Sequence, residues 1–242
     1  MNYKLIFSYD GSKYYGYAVQ KNEGHTIEAV IEKAISTILN KPTKIYASGR
    51  TDRGVHALNQ VATFKSDDKI DLEKFIRSLN KLVPNDIHFK RVAKVKDSFN
   101  ARFDCKSKVY LYILNLGEYD PFMRAYEIVE QSLNYNLLVD SSKIFIGQHN
   151  FMNFTSKIKD DRNFVRNIYS ITFKKKAKRV YIEFLGDGFM TYMIRKILGG
   201  MIEVSKGNIT LAELENLLNK KERTIITYTA PGKGLYLKKV NY

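Results

Sequence analysis

The run Ser48-Gly49-Arg50-Thr51-Asp52-Arg53-Gly54-Val55-His56-Ala57 comes nearest to chemistry in its residue types and spacing. It sets one carboxylate, Asp52, between two arginines in a glycine-flanked stretch that follows a short strand-like run. Glycine lets backbone approach a ligand closely, and arginine binds phosphate bidentately. A carboxylate beside guanidinium groups stays ionised, its pKa lowered by about 1–3 units. Such an aspartate suits nucleophilic rather than general-acid work. The same residues also fit an Asx-type turn with surface ion pairs, and on spacing alone the turn is the plainer reading.

Other chemistries lack their patterns. The sequence holds no G-x-x-x-x-G-K-[ST] phosphate loop, and Gly186-Asp187-Gly188 lacks the third glycine of a dinucleotide fingerprint. His25, His56, His88 and His149 are scattered, without H-E-x-x-H or the deaminase pattern. No G-x-S-x-G elbow occurs. The single Cys105 makes neither an internal disulfide nor a cysteine zinc site.

The elements that must position Asp52 follow from periodicity. Tyr3 to Tyr9 alternates as a strand. Thr26 caps a helix with Ile27, Val30, Ile31, Ala34, Ile35 and Ile38 on one stripe, ended by Lys41-Pro42. Lys44–Ala47 and Gln60–Lys65 read as strands, Leu72–Leu82 as a helix and Asn85–Val95 as a strand. That order, β-α-β-β-α-β, is the split unit of ferredoxin-like folds. Further on, strands are expected at Lys108–Asn115, Arg166–Lys174, Arg179–Leu185 and Leu235–Val240, with Lys174-Lys175-Lys176 as an exposed hairpin tip. Helices are expected at Leu137–Gly147, at Phe189–Val204 with Asp187 as its cap, and at Leu211–Leu218; Leu116–Asn136 reads as irregular. The expected fold class is α+β: two ferredoxin-like (RRM-like) subdomains, residues 1–104 and 105–242, sharing a mostly antiparallel sheet with the active-site cleft between them.

At 242 residues the chain is long enough to bury a sizeable core. Its apolar runs fall short of a bilayer span, and the N-terminus has no signal-like apolar region, so a soluble, cytoplasmic protein is expected. Lys+Arg 40 against Asp+Glu 25 gives a net charge of +15, which favours a polyanionic partner, nucleic acid first. Lysine enrichment from an AT-rich genome is the competing account of that charge.

Resemblance adds what composition leaves open. Gly49-Arg50-Thr51-Asp52-Arg53-Gly54-Val55-His56-Ala57, followed by Gln60-Val61, resembles the catalytic loop of the TruA family of pseudouridine synthases. Tyr9-Asp10-Gly11 with Tyr15-Gly16 and Gln20 resembles the family's opening strand and loop. Phe99-Asn100-Ala101-Arg102 before Lys108–Tyr112 resembles its second motif, and Gly147-Gln148-His149-Asn150-Phe151 its G-x-H-D-F segment. Met193-Ile194-Arg195-Lys196-Ile197-Leu198-Gly199 resembles its M-V-R-N-I-V-G helix. Ala230-Pro231 with Gly234-Leu235-Tyr236-Leu237 resembles its closing strand.

The resemblance implies isomerisation of uridine to pseudouridine in the anticodon stem-loop of tRNA, at positions 38–40. It implies Asp52 as nucleophile, Tyr110 against the uracil, Arg195 paired with Asp52, Leu235 beside the base, and Arg50, Arg53 and Arg102 on the RNA backbone or supporting the loop. No cofactor or metal is required, because substrate and product are isomers; a homodimer with tRNA across both subunits is implied as well. Ala18, Glu28, Arg53 and Asn150 depart from the family pattern and bear on RNA positioning. Two rival readings stand beside this one: the same chemistry on ribosomal RNA, and a non-catalytic RNA-binding protein.

Overall fold

Alternation of buried Tyr3, Leu5, Phe7 and Tyr9 with part-exposed Lys4, Ile6 and Ser8 makes Asn2–Tyr9 a strand, β1. This is a computed structural model that describes residues 1–20, 25–156, 163–224 and 226–242. It divides into two units, Met1–Lys106 with Tyr236–Tyr242, and Ser107–Leu235. The sequence reading placed the boundary at residue 104 and kept the C-terminal strand with the second part.

In the first unit, β1 is followed by α1 (Ile27–Leu39), β2 (Ile45–Ala47), β3 (His56–Lys65), α2 (Leu72–Leu82) and β4 (Ile87–Val95). Thr26 caps α1 by accepting from the Ala29 amide, and Asp71 caps α2 by accepting from Lys74. The helix α1 ends at Asn40, whose left-handed φ of 49° precedes the expected Lys41-Pro42 stop. β1 pairs antiparallel with β3 on one side and β4 on the other, and β2 pairs antiparallel with the far end of β3. The resulting order is β4-β1-β3-β2. Apolar stripes of both helices enter the core through Ile27, Ile31, Ile35, Phe75 and Leu79, and Phe75 stacks on Phe64 of β3.

The second unit contains β5 (Ser107–Asn115), β6 (Ile128–Val129), α3 (Tyr135–Ser142), β7 (Gly147–Asn150), β8 (Val165–Lys176), β9 (Arg179–Gly186), α4 (Met193–Ser205) and α5 (Leu211–Asn219). β5, β9, β8 and β7 pair antiparallel in that order, and β6 lies parallel to β5. The last strand, β10 (Leu235–Asn241), pairs parallel with β3 of the first unit through Tyr236↔His56 and Leu237↔Ala57. β3 is long enough for one edge to serve two neighbours, β2 near its end and β10 near its start.

Three expectations are corrected. Asp187 does not cap a helix: its carboxylate accepts from the Asn167 amide of β8, and α4 begins only at Met193, after Tyr192 in left-handed backbone. Lys174–Lys176 are not the hairpin tip but the end of β8, and the turn is Ala177-Lys178. The helix expected over Leu137–Gly147 spans Tyr135–Ser142, tightens into a 3₁₀ turn at Lys143–Phe145 and gives way to β7. Among the described residues no helix is long and apolar enough to cross a membrane.

Candidate active site

The Asp52 loop leaves β2 at Ser48 and enters β3 at His56. Its shape is set from beneath by buried polar groups. Gln60, fully buried, accepts from the Ser48 hydroxyl at 2.9 Å and donates to the Gly49 carbonyl at 3.0 Å. The Thr51 and Tyr9 hydroxyls are 2.8 Å apart. Burial pushes the Tyr9 hydroxyl up to about 12, so it stays a neutral phenol beneath the loop at any ordinary pH. The Val55 amide donates to the Asp52 carbonyl at 3.1 Å, closing a turn that puts Gly54 at φ 74°.

A second layer comes from the segment between β1 and α1. The Tyr17 amide donates to the Thr51 carbonyl at 3.0 Å. Gly16 has φ +99°, and a Cβ there would lie 3.1 Å from the Thr51 carbonyl oxygen, 3.3 Å from the Arg53 nitrogen and 3.4 Å from the Asp52 carbonyl carbon. Only glycine fits this approach without moving the Asp52 peptide. The Gly11 amide donates to His56 Nδ1 at 3.1 Å, and Asp10 Oδ1 is equally close to that nitrogen. A neutral Nδ1 accepts from Gly11, whereas a protonated one donates to Asp10. The His56 ring stacks on Tyr236, 4.7 Å between centroids, which ties the loop's exit to β10.

Asp52 is half-buried, while Arg50 and Arg53 are exposed. The Arg53 guanidinium lies 4.6 Å from the Tyr15 ring centroid. Arg50 acts on Glu28, a departure residue whose carboxylate accepts from the Val19 amide at 2.8 Å. Burial raises the Glu28 pKa, and the nearby Arg50 charge opposes that shift. Arg102 is also exposed, on a turn over Asn100–Asp104 with its guanidinium 5.6 Å from the Phe103 ring.

The second unit gathers the other expected residues. Tyr110, in β5, is buried, with its ring edge-on to Phe189 at 5.4 Å. Arg195 stands in the first turn of α4, half-buried, donating from Nε to the Ala230 carbonyl at 2.7 Å. The Ala230 amide returns a bond to the Arg195 carbonyl at 2.9 Å. The guanidinium also faces the Tyr192 ring at 4.4 Å. Tyr112 donates to the Pro231 carbonyl at 2.8 Å, fastening the stretch that leads to buried Leu235. Thus Arg50, Asp52, Arg53 and Arg102 belong to one unit, and Tyr110, Arg195 and Leu235 to the other.

Several supports were not singled out from the sequence. Thr51, Gln60 and Tyr9 were legible only as members of motifs, and Tyr17 was not picked out. Lys196 replaces the asparagine of the M-V-R-N-I-V-G pattern. It is buried and donates to the Ile226 carbonyl at 2.6 Å, and burial, with Arg223 and Arg195 nearby, lowers its pKa. Asn150 keeps the job an aspartate would do there, its side-chain oxygen accepting from the Met152 amide at 3.0 Å.

Comparison with known proteins identifies the family. The model of a family described as tRNA pseudouridine synthase matches residues 5–104 and 142–242. A protein named tRNA pseudouridine synthase A 2 from Bacillus anthracis is 40% identical over 100% of this chain and 99% of its own length. Proteins named tRNA pseudouridine synthase A from an Exiguobacterium species and from Malacoplasma penetrans are each 38% identical, over 99% and 100% of this chain and 97% and 100% of their own lengths. A solved H/ACA ribonucleoprotein bound to a substrate RNA containing 2′-deoxyuridine overlaps 71% of this chain and 37% of its own at 16% identity and a TM-score of 0.34, a likeness too slight to argue from. With the family model covering both the Asp52 loop and the Arg195 helix, the chain belongs to the tRNA pseudouridine synthase family.

Proposed function

We propose that the protein isomerises uridine to pseudouridine in the anticodon stem-loop of tRNA, at positions 38–40, with Asp52 as the nucleophile. The observation that carries this reading is the Asp52 loop itself. Its backbone is fixed by Gln60, Tyr9 and Gly16, and half-buried Asp52 is flanked in sequence by two exposed arginines. Family membership supplies the reaction class.

The target base leaves its stack at a cost of a few kcal/mol, less near a loop. Phosphate contacts from Arg50, Arg53 and Arg102 offset that cost through counterion release. The Asp52 carboxylate initiates cleavage of the C1′–N1 bond; the uracil turns and C1′–C5 forms. N1 takes up a proton and C5 loses its own, so atoms balance and no redox partner is consumed. Tyr110 packs against the ring, Leu235 lies beside it, and Arg195 holds Asp52 ionised and oriented.

The β4-β1-β3-β2 order of the first unit supports a ferredoxin-like subdomain, and we extend that reading to the second. A homodimer working in the cytoplasm completes the proposal. Incubation of an unmodified tRNA transcript with the protein, followed by mapping of pseudouridine by chemical adduct and reverse transcription, tests it. Stops confined to positions 38–40 are expected; modification of a ribosomal RNA fragment in place of tRNA would overturn the substrate.

A further inference from the structure

The first unit has a second concentration of cationic and aromatic groups, of which the proposed roles use only Arg102. A shallow open hollow of about 670 Å³ is lined by Lys4, Lys94, Val95, Lys96, Ser98, Phe99 and Asp104. Lys4 Nζ sits 5.5 Å from the centroids of both Phe99 and Tyr242. Among the described residues no carboxylate lies within ion-pair distance of Lys4, Lys94 or Lys96. The one acid in the lining, Asp104, is already engaged, accepting from the Asn100 amide at 2.9 Å. Three ammonium groups against one occupied carboxylate leave the hollow positive.

One wall of the hollow continues into the Asn100–Asp104 turn, which is tightly fixed. Asn100 Oδ1 accepts from the Arg102 and Phe103 amides at 2.9 and 3.1 Å. The Asp104 amide donates to the Asn100 carbonyl, and Tyr242 donates to the Ala101 carbonyl at 2.8 Å. On this rigid turn Phe103 is 78% exposed, with the Arg102 guanidinium beside it. A large exposed ring on a fixed turn, next to cations, has the chemistry of a stacking platform with a phosphate track.

We propose that this surface is a separate RNA contact: the lysines of the hollow take backbone phosphate, and Phe103, flanked by Arg102, stacks on an unpaired base. The proposal rests on RNA being the substrate. An acidic protein partner would satisfy the lysines but has no use for an exposed ring with a cation on it.

The full-length protein, the double variant K94Q/K96Q and Phe103→Ala should be titrated with tRNA transcript and with a heparin fragment at several salt concentrations, with melting curves to confirm folding. The double variant should weaken tRNA binding and reduce the slope of log K against log salt by about 2. Phe103→Ala should weaken tRNA binding by about 5- to 100-fold and leave heparin binding unchanged, because heparin has no base to stack. Unchanged tRNA affinity in all variants would overturn the proposal. So would equal losses for heparin and tRNA in Phe103→Ala, or a change in oligomeric state with RNA affinity intact. Turnover by the wild type tests the functional reading separately, so wild-type activity alongside unaltered variant affinities would remove this surface alone.

Discussion

At the residue scale, the departures from the family pattern are where this chain has chosen differently, and Glu28 is the most informative. Its carboxylate satisfies the Val19 amide, a bond that a glutamine side-chain oxygen would make equally well. Burial raises the Glu28 pKa, so the folded state holds its proton more tightly than the unfolded chain does. The sign follows: the stability tied to this proton is full below the ordinary value of 4.5 and is lost as pH rises through the higher folded value. Above its folded value the wild type carries a partly buried charge that Glu28→Gln removes. We expect Glu28→Gln to melt about 1–3 °C higher at neutral pH, with the difference vanishing under acid. A lower melting temperature would show that the attraction to Arg50 outweighs burial.

At the element scale, the segment between β1 and α1 helps to place the Asp52 loop. Gly16 is the point of contact, and Gly16→Ala introduces a Cβ against the Thr51–Asp52 peptide in backbone that alanine disfavours. A loss of about 1–3 kcal/mol in stability is expected, with kcat falling about 10-fold or more while tRNA affinity holds. An unaltered kcat would mean that Asp52 does not depend on this buttress. Much of this level was legible. Thr26 announced α1, and the helix expected over Phe189–Val204 survives as α4, with Met193, Ile194, Ile197, Leu198 and Met201 buried. The limits were local. Asp187 looked like a cap because Asp before an apolar run usually is one, but a cross-strand amide claimed it first. The two-residue strand β6 carries no periodicity to detect. It is held by long-range polar contacts: buried Glu127 just before it accepts from Asn115 of β5 at 2.8 Å and from Arg179. Likewise, the Tyr9–Thr51 contact joins residues 42 positions apart and leaves no trace in spacing.

At the scale of the whole molecule, buried tyrosines define how the protein fails. Tyr9, Tyr17 and Tyr112 are almost completely enclosed, and burial raises each above its ordinary value of 10.0. Above that value the unfolded chain releases protons that the folded protein retains, so stability is full below about pH 10 and falls as pH climbs. Each such group contributes a slope of about 1.4 kcal/mol per pH unit. Melting temperature should drop steeply above about pH 10, with tyrosinate absorbance from these residues appearing only as the protein unfolds; tyrosinate formed in the folded state without loss of stability would contradict this. The +15 charge acts at the same scale, drawing a polyanion to both units before any base is read. The central claim is that Asp52 performs the isomerisation, and tritium release from a tRNA transcript carrying [5-³H]uridine tests it most directly, because C5 loses its hydrogen only on becoming the glycosidic carbon. Release by the wild type and none by a folded, tRNA-binding Asp52→Asn variant is the predicted result; release by both proteins would contradict it.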